Sequence, residues 1–360
     1  MNGATAPAIR IPANEAGADG MRILSTERDV RIDAARAIAI ILVVLGHAKG
    51  IPQAFTILAY SFHVPLFFFL SGWFVERRRI AGMSDEATRL ARTLLLPYLA
   101  FFALAYAYWL LTRNIGEKAA RWGERPWWEP LRGLLDGIGP DLYVHPAIWF
   151  LVALFTTSLL YRALRRVLPL AWLAPLSLLA AWCWIAFFPA LDLRLPWALD
   201  IAPVSLFFMA AGALAARARV LPATLPVNLL LAAMLAPVWV WIAMHNGRVD
   251  INQLRFGASP AMFFAAGLAG IALTLALSRL VQDWTPLQWL GRNTLLILCT
   301  HILVFFVLSG IVSLAGFGGA RPGLGWALIV SLIALLSSVP LRWVFARWAP
   351  WAIGQRRLAA

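Results

Sequence analysis

Charge is what this sequence has least of. Only 13% of its 360 residues are Asp, Glu, Lys or Arg, against 61% hydrophobic. A soluble domain carries about a quarter charged residues, and its polar surface cannot cover an apolar excess of this size. Cysteine is also scarce. Cys183 and Cys299 both lie inside apolar stretches, which excludes a disulfide framework and offers no metal-ligand spacing. They are expected to pack against lipid or core, and no metal is expected. No internal repeat suggests the inverted halves of many transporters. No apolar core follows a basic start in the first thirty or so residues, so no secretory signal is read there. Residues 1–31, rich in Pro, Ala, Gly and charges of both signs, are expected to form a flexible cytoplasmic tail. Residues 349–360 are expected to form a shorter one, leaving 32–348 as a single bundle.

What the sequence has is long apolar runs, with a mean hydropathy of +0.75. A helix crossing a bilayer needs ~17–25 such residues. Ten stretches qualify, at 33–50, 54–75, 92–111, 146–162, 168–188, 199–216, 226–244, 259–280, 293–314 and 324–345. The expected fold is an all-α polytopic membrane helix bundle of about ten transmembrane helices. The net charge of +14 gathers in short clusters between these runs, a pattern of membrane topology and not of nucleic-acid binding. Cytoplasmic loops carry the excess of Lys and Arg. With the amino terminus inside, 21 fall on the inner side and 10 on the outer. Both termini are therefore expected in the cytoplasm, the protein lying among membrane lipids.

Half of the outer positive charges lie in 112–145, with Trp122, Trp127, Trp128, Asp136, Asp141, Tyr143 and His145. Tryptophans favour the bilayer interface; aromatic faces beside carboxylates also suit carbohydrate, so a sugar-facing lid is the second reading. His145 and His245 fall in outer loops and are read as ordinary surface residues, Asp192 and Asp200 as solvated loop charges.

Ionisable residues inside spans are costly and default to function. The first span runs from Arg31 through Asp33 and Arg36 to His47. Arg36 and His47 are eleven residues apart, three turns plus ~20°, so they share a face about 16 Å apart along the axis. Asp33 lies three residues before Arg36, where the two can pair. One stripe then links an inner anion-binding guanidinium to an outer imidazole. The plainer alternative is a capped helix end. In the second span His63 precedes Val64-Pro65, and a residue before proline avoids the helical region, so the outer end is expected to break beside His47. Ser71 and Gly72 are expected to permit close helix approach. Arg77, Arg78 and Arg79 serve topology. Arg89 and Arg92, three apart and running into the third span, share a face able to grip one polyanion.

These residues, taken in order, resemble the membrane-bound acyltransferase 3 family, which O-acylates sugars and other hydroxyls. Arg36, ten residues, then His47 matches its hallmark, and Asp33 fits as well. So do Phe-His-Val-Pro-Leu-Phe-Phe-Phe-Leu-Ser-Gly at 62–72, Arg-x-x-Arg at 89–92, Trp149-Phe-Leu in the fourth span, and Gly291-Arg-Asn-Thr leading to His301. Ala37 stands where many members carry Gly. The run Ala-Arg-Ala-Ile-Ala-Ile-Ile-Leu-Val-Val-Leu-Gly-His is similar to that of members that O-acetylate mannose in xanthan-type polymers.

The resemblance implies an O-acetyltransferase. Its donor would be cytoplasmic acetyl-CoA, its acceptor a sugar hydroxyl of a lipid-linked oligosaccharide or polysaccharide unit. Arg89, Arg92 and Arg36 would bind phosphates, and His47 would take the hydroxyl proton, as imidazole can near neutral pH. A covalent acyl-His47 intermediate is the rival chemistry. His63 and His301 would orient groups or stabilise an oxyanion; Ser71 and Trp149 would line the substrate path. Two readings from other classes are a glycolipid flippase using the same stripe without chemistry, and a scaffold for a polysaccharide export complex.

Overall fold

The computed structural model describes residues 29–77, 82–115, 117–317 and 322–355. Within them α1 is Val30–His47, α2 Gln53–Tyr60 and α3 His63–Val75. Next come α4 Met83–Leu90 and α5 Leu96–Thr112, followed by the short α6 Glu117–Trp122 and α7 Glu129–Asp136. The remaining helices are α8 Trp149–Leu164, α9 Leu170–Phe187, α10 Ala202–Ala218, α11 Leu225–Asn246, α12 Pro260–Val281, α13 Thr285–Arg292, α14 Thr294–Val312 and α15 Leu324–Trp348. Strands β1 (Val249–Asp250) and β2 (Arg255–Phe256) pair antiparallel, Asp250 opposite Arg255. Eight helices among the described residues are long and apolar enough to cross a membrane. Each of the ten apolar stretches falls on a helix: α8 is apolar but only 16 residues long, and α1 carries three charges in 18. The protein is an all-α, polytopic membrane bundle.

At its centre stands α1, packed on α3, α12, α13 and α14. Asp29 caps its start, accepting from the Ile32 N–H at 3.3 Å, and its alanines at 34, 35, 37 and 39 are fully buried. Small side chains let neighbouring backbones close in, the usual basis of helix packing where lipid removes the hydrophobic drive. On α13, Gly291 lies against the Asp33 backbone where any Cβ would collide. Arg31 is not part of a tail. It is buried in α1 and donates to Leu275 O, Pro222 O and Asn228 Oδ1, a tie to α12 and α11 that satisfies its guanidinium. The other expected tail also starts later. Pro350–Ile353 forms a 3₁₀ turn with Pro350, Ala352 and Ile353 buried, so the bundle's packing runs past 348. Residues 1–28 and 356–360, like Arg78 and Arg79, lie outside the described residues.

The second span is broken, but not at Val64. Phe62 leaves the helical region (φ −146°) and α3 begins at His63. Pro65 then sits in the first turn of α3, where a missing N–H costs nothing, and Val64 is free to be helical. Between α4 and α5, residues Ala91–Leu95 form a π turn. Two residues further on, Pro97 has no N–H for the Thr93 carbonyl.

α3 and α10 meet through reciprocal glycines. A Cβ on Gly72 would strike the Met209 carbonyl, and one on Gly212 the Phe69 carbonyl. Backbone cannot yield as a side chain can, so Gly72→Val should cost at least the ~1–3 kcal/mol of ordinary overpacking. The expected result is loss of the monodisperse peak in size-exclusion chromatography of the purified protein. Gly323→Val, where a Cβ meets open space, should leave the peak intact.

Candidate active site

A cavity of about 580 Å³ runs along α1, and both Arg36 and His47 line it. Its walls come from α1, α2, α3, α4, α8 and α14, with Ser71, Trp149 and the apolar Phe67, Phe74 and Phe150 among them. That volume lies within the usual ligand-pocket range of ~300–1,000 Å³. The two ends differ in chemistry.

One end is basic. Arg36, Arg89 and Arg162 line it together with Glu86. Glu86 is 1% exposed; Arg89 donates to both its oxygens at 2.7 and 2.8 Å, and Arg162 approaches at 3.6 Å. A buried carboxylate needs such partners to stay charged. Arg36 lies over the Phe74 ring at 4.7 Å and 3.8 Å from Asp33. Asp33 itself is held more closely by Arg292, at 3.3 Å. Three guanidinium groups therefore face the cavity against one carboxylate, a layout for an anion. Arg92 is not among them. It is exposed and lines no part of the cavity, because the π turn starting at Ala91 carries it off the face of Arg89.

The other end holds imidazoles. His47 Nδ1 lies 2.9 Å from Val43 O. A carbonyl only accepts, so Nδ1 carries the proton and Nε2 is left bare. His301 repeats this, donating from Nδ1 to Ile297 O at 2.9 Å and presenting Nε2 to His47 Nδ1 at 3.4 Å. His63 donates from Nδ1 to Ala59 O at 2.7 Å and lines the cavity with Tyr60. In neutral form neither His63 nor His301 keeps an N–H for an oxyanion, so that role falls away. What His301 can do is help hold the His47 tautomer.

His145 is not a surface residue. It is fully buried and donates from Nε2 to Cys299 O at 2.8 Å, pinning the loop before α8 to α14 one step from His301. Its apolar company was the available signal: Leu142, Val144, Ala147 and Ile148 are all buried. His245 is exposed. Asp200 is also buried, paired to Arg194 at 2.6 Å, whereas Asp192 is exposed. The second reading of 112–145, a sugar-facing lid, finds no support at the cavity: none of the described residues in 112–145 lines it. There Trp122 stacks on Tyr143 at 4.8 Å with Arg125 over both rings, and Trp127 and Trp128 are exposed.

Beyond the imidazoles, Asp250, Asn252 and Gln253 of the β1–β2 hairpin close the cavity. Burial pushes the Asp250 carboxyl up, opposed by the Gln253 N–H and by the charges of Arg248, Arg255 and His47. Sequence reading passed over these residues as an ordinary outer loop. Among the described residues, no three His, Cys, Asp or Glu side chains gather as a metal would require.

A family profile described as an acyltransferase domain matches residues 29–343. No curated protein matches the chain, and no solved structure does.

Proposed function

The chain belongs to the acyltransferase 3 family, and from that membership we propose that it moves an acetyl group from acetyl-CoA to a sugar hydroxyl of a lipid-linked exopolysaccharide unit, with mannose as the first candidate. The observation that carries the reading is the single cavity with guanidinium groups at one end and a bare imidazole nitrogen toward the other. In this reading, which the positive-inside bias supports, the basic end faces the cytoplasm, where acetyl-CoA is made, and the hairpin end faces out from a bacterial inner membrane. Arg36, Arg89 and Arg162 hold the phosphates. The pantetheine arm extends along the apolar wall of Phe67, Phe74 and Phe150 toward His47. Ser71 and Trp149 line that path.

The acceptor hydroxyl attacks the thioester carbonyl as His47 Nε2 takes its proton. A C–O bond forms, the C–S bond breaks, and the imidazolium returns the proton to the leaving thiolate. The Nδ1–H, shared between Val43 O and His301 Nε2, stabilises the positive ring during that interval. The flippase reading uses the same cavity, but needs no tautomerically fixed base.

Purified protein in lipid nanodiscs, given radiolabelled acetyl-CoA and membrane glycolipid extract, tests the proposal. Label should appear in the glycolipid in proportion to enzyme. Glycolipid translocation in sealed proteoliposomes of the same protein, without any label transferred, would favour the flippase.

A further inference from the structure

Guanidinium groups line one end of the cavity and the Asp250 carboxyl lines the other. Asp250 is partly buried, yet its contacts are long: the Gln253 N–H at 3.3 Å and Arg248 at 4.0 Å. A carboxylate offers about four lone-pair sites, and burying it underfilled is costly. Next to it Asn252 also lines the cavity, but its Oδ1 is buried against Gly139, turned away from any ligand there.

The hairpin that presents them is fixed at its base and side. Asn246, 2% exposed, donates to Phe256 O at 3.0 Å and accepts from the Ser259 N–H at 3.1 Å. Gly257, at φ +85°, lies where a Cβ would strike Asn246. Arg194 bridges the buried Asp200 to Asn252 O, at 2.6 and 3.1 Å. Such bracing suits groups that must hold a set geometry.

We propose that this hairpin is the acceptor subsite, in which the Asp250 carboxylate and the Gln253 carboxamide bind the hydroxyls of a neutral pyranose while Tyr60 offers it an aromatic face. Vicinal hydroxyls both donate and accept, and so fit a carboxylate beside a carboxamide. Tyrosine combines an apolar face with a polar edge, suited to a ring with C–H faces and hydroxyl rims. An anionic acceptor would be repelled by Asp250. Charge thereby sorts the substrates: the phosphate-bearing donor to the guanidinium end, the uncharged acceptor to the carboxylate end. His47 lines the same cavity as both groups. The inference rests on the acetyltransferase reading and adds to it the residues that hold the acceptor.

The test uses the full chain in lipid nanodiscs, free of glycosidic detergent. Binding of methyl α-mannopyranoside and methyl β-glucopyranoside is titrated calorimetrically, with acetyl-CoA titrated on the same samples. Wild type should bind at least one glycoside saturably. The near-isosteric Asp250→Asn should weaken that binding about tenfold or more and leave acetyl-CoA affinity within twofold. Glycoside affinity equal in the two proteins overturns the proposal, as does saturable binding of neither glycoside by wild type. Failure of acetyl-CoA to bind wild type would instead remove the acetyltransferase reading, whatever the glycosides do.

Discussion

His47→Ala is expected to lower acetyl transfer by ~10²–10⁴-fold, the usual worth of a positioned general base, while donor binding stays close to wild type. The ring is chosen by geometry. It lies in the cavity, and its Nδ1–H is committed to Val43 O, so Nε2 can only accept a proton. Alanine in the last turn of α1 removes no tertiary hydrogen bond except the long one to His301, so the folded protein should survive. Single-turnover transfer from bound acetyl-CoA is the measurement that separates chemistry from binding. Wild-type turnover would remove His47 from the mechanism. His301→Ala is expected to act more mildly, by about tenfold, the worth of one neutral hydrogen bond, since Val43 O continues to hold the tautomer.

Arg36→Ala should weaken acetyl-CoA binding by ~10–100-fold, as a lost charge-assisted hydrogen bond to phosphate does. Of the three guanidinium groups it is the cleanest to remove. Deleting Arg89 would strip the buried Glu86 of its bidentate partner, whereas Asp33 keeps Arg292 at 3.3 Å when Arg36 is gone. Arg92→Ala is the paired control. Exposed and off the cavity, it should leave the dissociation constant within about twofold, since surface substitutions usually stay within ~0.5 kcal/mol. Isothermal titration of all three proteins decides the matter. A loss in Arg92→Ala as large as in Arg36→Ala would return the phosphate site to the 89–92 pair.

The first helix could be read from the sequence because its message is local. Two ionisable side chains eleven residues apart in an apolar run have one angular relation, and the cavity wall contains both. The helical stretches were legible for the same reason, since length and hydropathy decide a span. The basic end was legible only in part. Arg89 stands where its helix face suggested, but the π turn that diverts Arg92 has only Pro97 as a local sign. Arg162 lies on α8, four helices after the α4 that holds Glu86, and nothing near it distinguishes it from a topology residue such as Arg165. Asp250 and Asn252 were hidden for a related reason. A short polar loop looks alike whether it waves in solvent or folds back over a cavity, and only contacts to Arg194, Asp200 and Asn246 make the difference.

α1 carries Arg36 and His47, to which the proposed mechanism gives donor binding and proton transfer, on one unbroken, largely buried rod. It therefore works as a ruler. With 1.5 Å of rise and ~100° of turn per residue, one inserted residue between Arg36 and His47 would swing the imidazole out of the cavity altogether. In the proposed reaction the backbone thus sets the length of thioester that can reach the nitrogen, so drift in the surrounding wall would change the acceptor without changing the reacting groups.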